Sequence, residues 1–335
     1  MNILVTGGAG FIGSNFIHFL LRSRRNVEVT NFDKLTYAGN LENLAGIADN
    51  PRCQFVRGDI SDPPMVKTVF DRGFDAVVHF AAETHVDRSI EDAAPFLQTN
   101  VVGTRCLLEA ARSFPRLRFI HISTDEVYGS APPNVFFDES SPLDPRSPYA
   151  ASKASAEHFV TAYSNTYGIS SIILRCTNNY GPFQSPEKLI PLVITNAIDN
   201  KPVPIYGDGM QERDWLFVED YCKAISLVLE KEASGGVYNV CSGSPQPNLE
   251  IVRAILRCLG KPESLIQFVK DRAGHDRRYA LDSSKIRRDL SWSPDVSFEV
   301  GIQKTVEWYR RNPAWIKHAR SGEYQTFYDR QYNRR

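Results

Sequence analysis

Met1-Asn2-Ile3-Leu4-Val5-Thr6-Gly7-Gly8-Ala9-Gly10-Phe11-Ile12-Gly13 is the stretch on which the fold turns. Its first residues read as a strand, a glycine-rich turn follows, and a helical pattern runs from Ile12 to Arg22. The turn matches G-x-G-x-x-G through Gly8, Gly10 and Gly13, and G-x-x-G-x-x-G through Gly7, Gly10 and Gly13. In a strand–turn–helix, such glycines permit a tight turn and let backbone N–H groups approach a pyrophosphate at the helix N-terminus. Asp33 lies 20 residues after Gly13, at the end of the second strand pattern. A carboxylate there accepts hydrogen bonds from an adenosine ribose and repels a 2′-phosphate. The expected cofactor is therefore NAD rather than NADP, a preference that neighbouring Lys34 blurs slightly.

Working outward, apolar runs at Ile3–Thr6, Val27–Phe32, Gln54–Arg57, Ala76–Phe80, Phe119–Ser123 and Ser171–Arg175 predict strands. Helical patterns lie near Ile12–Arg22, Met65–Phe70, Ala94–Ser113 and Ala150–Tyr167. This alternation predicts an α/β fold, a Rossmann-type doubly wound parallel sheet with a smaller C-terminal substrate-binding α/β region. The expected division is 1–180 for the dinucleotide, with a return segment near 215–245 and a strand around Val237–Cys241, and 181–335 mainly for substrate. The tail after Trp308 is rich in Arg and Tyr and reads as solvated or packed against another subunit.

Composition narrows the class. Lys+Arg and Asp+Glu are both 39, so the formal net charge is zero, which argues against a general nucleic-acid or acidic-membrane binder. No apolar run is long enough to span a bilayer, and the N-terminus lacks a signal-peptide pattern, so a cytoplasmic location is expected. The six cysteines form no C-x-x-C pair; buried free thiols are expected, with no disulfide framework and no metal site.

Tyr149 and Lys153 form Y-x-x-x-K and share a helix face. An ammonium beside the phenol is expected to lower its pKa and make Tyr149 a base toward a sugar hydroxyl. One strand earlier, Ser123-Thr124 ends in hydroxyls, and Asp125-Glu126 follows at once. Two carboxylates beside a dinucleotide site suggest a general acid and a general base. Neighbours in a strand point to opposite faces, so both reach one ligand only if the chain leaves the strand at Thr124. Otherwise one carboxylate caps the following turn and the other is solvated.

These motifs together resemble the dTDP-glucose 4,6-dehydratase family, within the extended short-chain dehydrogenase/reductase superfamily. The resemblance spans nearly the whole chain. It includes the glycine turn, Asp33-Lys34-Leu35-Thr36-Tyr37-Ala38-Gly39-Asn40, Gly58-Asp59-Ile60, His79-Phe80-Ala81-Ala82-Glu83-Thr84-His85-Val86-Asp87-Arg88-Ser89 and Ser123–Gly129. It continues through Tyr149–Lys153, Asn178–Pro182, Pro186–Pro191, Arg213–Trp215 and Gly274–Tyr279. The Asp-Glu pair is its specific mark, since related epimerases and decarboxylases share the glycines and Y-x-x-x-K but lack it.

The resemblance implies roles by position. Tyr149, helped by Lys153 and Thr124, takes the C4 hydroxyl proton while hydride passes from C4 to NAD. Glu126 takes the C5 proton acidified by the new ketone, and Asp125 protonates the C6 hydroxyl so that it leaves as water. The hydride then returns to C6, and a proton returns to C5. Implied cofactor contacts are Gly7, Gly10, Phe11, Ile12, Gly13, Asp33, Lys34, Thr36, Gly39, Asp59, Ile60, Ala81, Ala82, Thr99, Tyr149, Lys153, Cys176 and Asn178. Implied substrate contacts are Thr84, His85, Thr124, Asn179, Glu187, Lys188, Leu189, Pro204, Ile205, Tyr206, Arg213, Asn248, Arg272, His275 and Tyr279, with the two arginines suited to a diphosphate. Thr84 stands where the family usually has Ser. The chain is also somewhat shorter than many bacterial members, with a compact Gly129–Glu139 connection. A homodimer is expected, because the helices near Ala94–Ser113 and Ala150–Tyr167 carry spare apolar surface and the corresponding pair joins subunits in this superfamily. Two other enzymes share most of the pattern, a UDP-glucose 4,6-dehydratase and a UDP-sugar 4-epimerase. A non-enzymatic NAD-binding regulator is the reading from another class, and it predicts loss of the catalytic residues, all of which are present.

Overall fold

The structure is a computed structural model that describes residues 1–231, 236–272, 274–321 and 323–328. In chain order the first half runs β1 (Asn2–Thr6), α1 (Phe11–Ser23), β2 (Glu28–Asp33), β3 (Cys53–Arg57), α2 (Pro63–Phe70) and β4 (Ala76–His79). It continues through α3 (Val86–Glu91), α4 (Ala94–Phe96), α5 (Thr104–Ala111), β5 (Arg118–Thr124), α6 (Pro148–Tyr167), β6 (Ser170–Cys176) and β7 (Asn178–Tyr180). Then come α7 (Leu189–Ile198), β8 (Val203–Tyr206), β9 (Glu212–Arg213), β10 (Trp215–Phe217), α8 (Val218–Glu230), β11 (Gly236–Val240) and β12 (Gln246–Pro247). The chain closes with α9 (Asn248–Leu259), β13 (Ile266–Val269), α10 (Ser284–Leu290), α11 (Phe298–Arg311), α12 (Pro313–Ala319) and α13 (Glu323–Tyr328).

Seven strands form one sheet in the order β11-β6-β5-β4-β1-β2-β3, and every pairing in it is parallel. This is the Rossmann-type sheet expected from the alternating pattern. A sheet covered on both faces needs apolar side chains on both sides of each strand. Thus Ile3 and Val5 join Phe16, Ile17 and Leu20 of α1 and Tyr221 and Ile225 of α8 on one face. Leu4 joins Val66 and Phe70 of α2, Leu107 of α5 and Val160 of α6 on the other. Strand order reverses direction at β1, between β2 and β4, which opens a crevice at the carboxyl ends of the strands. A second core gathers α7, α9, α11 and β8 around Ile190, Val193, Ile255 and Val306.

Two elements differ from expectation. The helix read at Ala94–Ser113 contains a π-helical stretch, Leu97–Gly103, between α4 and α5. Gly103 sits against the Ile60 side chain, where a Cβ would come within 2.6 Å of it, while buried Asn100 accepts from the Glu83 N–H and donates to Ser152. Widening the helix there fits the backbone to its neighbours while Asn100 ties it to the cleft wall. The tail is also not simply solvated: α12 buries Trp315 in the second core. Residues 329–335 lie outside the described residues.

Candidate active site

One cleft of about 330 Å³ runs along the crevice. Its cofactor end is built from the glycine turn. Gly7 has φ +72°, and a Cβ there would lie 2.5 Å from the Ala81 nitrogen. At Gly13 a Cβ would lie 2.4 Å from the Gly7 carbonyl oxygen. These positions admit only glycine without a shift of backbone, and Gly10 stands at the N-cap of α1 with no side-chain cap, leaving first-turn N–H groups for an anion. Asp33 is buried, accepting from the Ala9 N–H at 2.9 Å and the Leu35 N–H at 2.8 Å, and these bonds oppose the rise in its pKa caused by desolvation. Lys34, which blurred the NAD preference in sequence, is held 2.6 Å from Asp59. Gly10, Phe11, Ile12, Thr36, Gly39, Ile60, Ala81, Ala82, Thr99, Cys176 and Asn178 line the same cleft. The cradle fits a dinucleotide. Among the described residues, buried Ser123 Oγ and Asn178 Oδ1 in its wall also lack a hydrogen-bond partner.

The catalytic side chains meet at the centre. β5 ends at Thr124, and Asp125–Tyr128 turn at once into a 3-10 helix. The chain therefore leaves the strand where both carboxylates need it to, and Asp125 and Glu126 both line the cleft with Tyr149 and Lys153. The turn is capped by Thr124, whose Oγ1 accepts from the Glu126 N–H at 3.3 Å, so neither carboxylate serves as the cap. Asp125 is buried between the hydroxyls of Thr124 and Thr177, each 3.2 Å away. Desolvation, reinforced by the Glu126 charge, pushes Asp125 up to about 7, against the pull of Arg213 and the two hydroxyls. Desolvation also raises Glu126, while Arg272, Lys188 and Arg213 favour its anion. Burial thus pushes both carboxyls up, while neighbouring cations act on the two unequally.

The expectation for Tyr149 needs correction. Its pKa is raised, not lowered, by burial and then by the negative charge of Glu126, with the Thr124 hydrogen bond opposing. Lys153 turns its Nζ to the Ile122 carbonyl at 2.6 Å, and desolvation brings it down to about 8. Four-residue spacing placed both groups on one face, but it did not direct the ammonium at the phenol.

Beyond the centre, Thr84 and Lys188 line the cleft, while His85, Glu187, Arg213, Arg272, His275 and Tyr279 form a charged cluster beside it, outside its lining. Thr84 lines the cleft, and its carbonyl accepts from Lys188 Nζ at 3.0 Å. His85, kept neutral by burial, lies 3.8 Å from both Asp87 and Glu187, and Arg88 pairs with Glu187 at 2.6 Å. Arg272 lies 3.8 Å from Asp87. Arg213 stacks 4.1 Å over the Tyr279 ring and donates to the carbonyls of Glu212 and Asp276. Desolvation and, less strongly, the Arg272 charge lower the Arg213 pKa, against the opposing pull of Tyr279, Glu126 and Asp125. Among the described residues, buried Asn248 Oδ1 and Arg272 Nε have no hydrogen-bond partner. His275 pairs with Asp271 at 2.6 Å and meets the edge of Tyr206. Asn179 and Lys188 line the cleft itself, whereas Leu189 packs on the second core and Pro204 and Ile205 are buried along β8.

The comparisons with known proteins agree with this geometry. A family described as GDP-mannose 4,6 dehydratase matches residues 4–305. The dTDP-glucose 4,6-dehydratase of Streptomyces niveus is 53% identical, with 94% of each chain covered. The chain belongs to the dTDP-glucose 4,6-dehydratase family. The Streptomyces venezuelae dTDP-glucose 4,6-dehydratase, solved with NAD and TYD bound, is 49% identical with a TM-score of 0.92, covering 95% of this chain and 100% of that one. The Thermus thermophilus UDP-glucose 4-epimerase, solved with NAD, is 34% identical with a TM-score of 0.86, covering 93% of this chain and 100% of that one. The fold is thus shared by dehydratases and an epimerase.

Sequence reasoning missed several members of the dehydratase cleft: Asn43, Thr177, Phe183, Gln184 and Trp315. Thr177 stands between two residues that were chosen, Cys176 and Asn178. Trp315 lies on α12, a separate helix from the Trp308 of α11, and nothing in the local spacing marked it.

Proposed function

We propose that this chain converts dTDP-glucose to dTDP-4-keto-6-deoxyglucose and water. The observation that carries the reading is the turn after Thr124, which sets a carboxyl held near neutrality and a second carboxyl in one cleft with Tyr149. NAD, when bound, supplies the hydride acceptor for C4, the hydride donor for C6 and, oxidised, a positive charge that favours the Tyr149 phenolate. Gly7, Gly10 and Gly13 admit it, and Asp33 receives its ribose. Tyr149, hydrogen-bonded to Thr124, takes the C4 hydroxyl proton, and Lys153 offers its remaining N–H donors. Glu126, its anion favoured by Arg272, Lys188 and Arg213, takes the C5 proton. Asp125, the protonated partner, gives its proton to the departing C6 hydroxyl. Arg213 and Arg272 hold the diphosphate. The division into a cofactor part, 1–180 with the return near 215–245, and a mainly nucleotide-sugar part, 181–335, belongs to the same proposal.

An epimerase returns hydride to C4 and needs no proton donor for a leaving hydroxyl, so a carboxyl buried and held near neutrality has no task in that reaction. Parallel incubations with dTDP-glucose and UDP-glucose, followed by mass analysis, test the reading. Loss of water from dTDP-glucose with slower turnover of UDP-glucose is expected. An epimeric hexose with no mass change would overturn it.

No helix among the described residues is long and apolar enough to cross a membrane. We further propose a cytoplasmic homodimer. Leu97 in the π stretch and Phe159 and Tyr167 on α6 are exposed apolar side chains on the two helices expected to join subunits. Light scattering at micromolar concentration should give twice the chain mass; a monomer contradicts the dimer.

A further inference from the structure

The reaction cycle requires the hydride taken from C4 to be returned to C6 by the same bound cofactor, so the cofactor has to stay through the cycle. We propose that α12 is a cofactor clasp, in which the Trp315 indole fastens the end of the chain to the glycine turn and slows escape of the dinucleotide. This rests on the NAD reading. Trp315 Nε1 donates to Asn43 Oδ1 at 2.8 Å across a separation of 272 residues, and both side chains are buried. The other half of the same amide, Asn43 Nδ2, donates to the Ala9 carbonyl inside the glycine turn at 2.9 Å. The Asn43 side chain is therefore a two-sided link, with the turn on one hand and the clasp on the other. Trp315 and Ala319 line the cleft alongside Gly10 and Phe11. His318 pairs with Glu42 at 2.6 Å and makes an exposed second fastening.

Behind the indole, the rings of Phe183, Trp308 and Tyr309 pack against it edge-on. The Tyr309 hydroxyl donates to the Gln184 carbonyl, and Gln184 Nε2 donates to the Asn179 carbonyl at 2.9 Å. The clasp is thus backed by residues that reach the substrate end of the cleft. If the dinucleotide left after C4 oxidation, the keto sugar would be stranded, so slow escape serves the chemistry directly.

The test is exchange of cofactor from the intact holoenzyme. Protein carrying NAD is incubated with excess isotope-labelled NAD, and the nucleotide released on denaturation is weighed over time. Trp315→Phe keeps an aromatic ring and loses the N–H donor; exchange should quicken by about 3- to 10-fold, the scale of one buried hydrogen bond. Trp315→Ala should exchange faster still, and His318→Ala only slightly faster than the parent. If Trp315→Ala does not fold, Trp315→Phe decides the matter. Folded Trp315 variants that hold one NAD per chain and exchange it at the parent rate would overturn the clasp. A parent chain that holds no NAD would instead overturn the cofactor reading, and the clasp with it.

Discussion

At the glycine-turn end of the cleft the wall is mostly backbone: three glycines, the uncapped start of α1, and one carboxylate tied to two N–H groups. The Arg213–Arg272 cluster, beside the cleft and outside its lining, is mostly charge. Arginines, a lysine, histidines and carboxylates arrive from segments near 84–88, 187–188, 213 and 271–279 and are balanced against one another in a buried setting. The first kind of site is local in sequence and fails when a Cβ intrudes. The second is assembled over long range and fails when a charge is lost. Tyr149, Asp125 and Glu126 stand where the two kinds meet, so their protonation answers to burial from one side and to cations from the other.

Substitution at the junction should have the largest effect. Tyr149→Phe removes the base for C4 oxidation, and turnover should fall by about a hundredfold to ten-thousandfold. Because the block precedes hydride transfer, no reduced-nicotinamide absorbance should appear on mixing with substrate. A normal burst of that absorbance would place the base elsewhere.

Next comes the charged end. Arg213→Lys keeps the charge but not the planar fork, and a lost charge-assisted contact of about 1.5–3 kcal/mol should raise KM for the nucleotide sugar by roughly 10- to 150-fold. NAD content should stay at the parent level. A loss of NAD equal to the loss of sugar affinity would erase the distinction between the two ends.

The mirror experiment is Gly13→Ala. Its methyl group would sit 2.4 Å from the Gly7 oxygen, so the turn must open. Overpacking of about 1–3 kcal/mol should weaken cofactor retention by roughly tenfold, read as NAD released per chain after gel filtration. Full NAD occupancy in that variant would show that side chains, not backbone, hold the cofactor.

How legible these regions were follows the same division. Strands of the parallel sheet are buried on both faces, so Ile3–Thr6 and Phe119–Ser123 stood out as continuous apolar runs and came within a residue or two of the observed ends. The short strands β7, β9, β10 and β12 of two or three residues carry no such run, and tertiary pairing alone defines them. The glycine turn and Asp33 were readable because their spacing is set by backbone geometry. The burial of Trp315 was not, since its partner Asn43 lies 272 residues away. Nor could the spacing of Tyr149 and Lys153 reveal that the ammonium turns to the Ile122 carbonyl.

A smaller effect, in pH, sharpens the account of the junction. Asp125 must be protonated to act as acid, and burial holds it up at about 7. As pH rises past that value the acid form is lost, so the elimination step should slow, approaching about tenfold per unit. Falling pH instead protonates Glu126 and removes the base, giving the opposite limb. Asp125→Asn should abolish the basic limb in single-turnover measurements of water loss; an unchanged limb would assign it to another group.

The most direct measurement follows both carboxylates at once, by rapid-quench mass analysis in deuterated water with reduced-nicotinamide absorbance recorded in parallel. The account predicts that Glu126→Gln still oxidises C4 while exchange of the C5 hydrogen nearly stops. Asp125→Asn should oxidise C4 and retain some C5 exchange, yet lose water about a hundredfold to ten-thousandfold more slowly. Dehydration by both variants at the parent rate would show that the turn after Thr124 is structural, and would contradict the assignment of acid and base on which the proposed function rests.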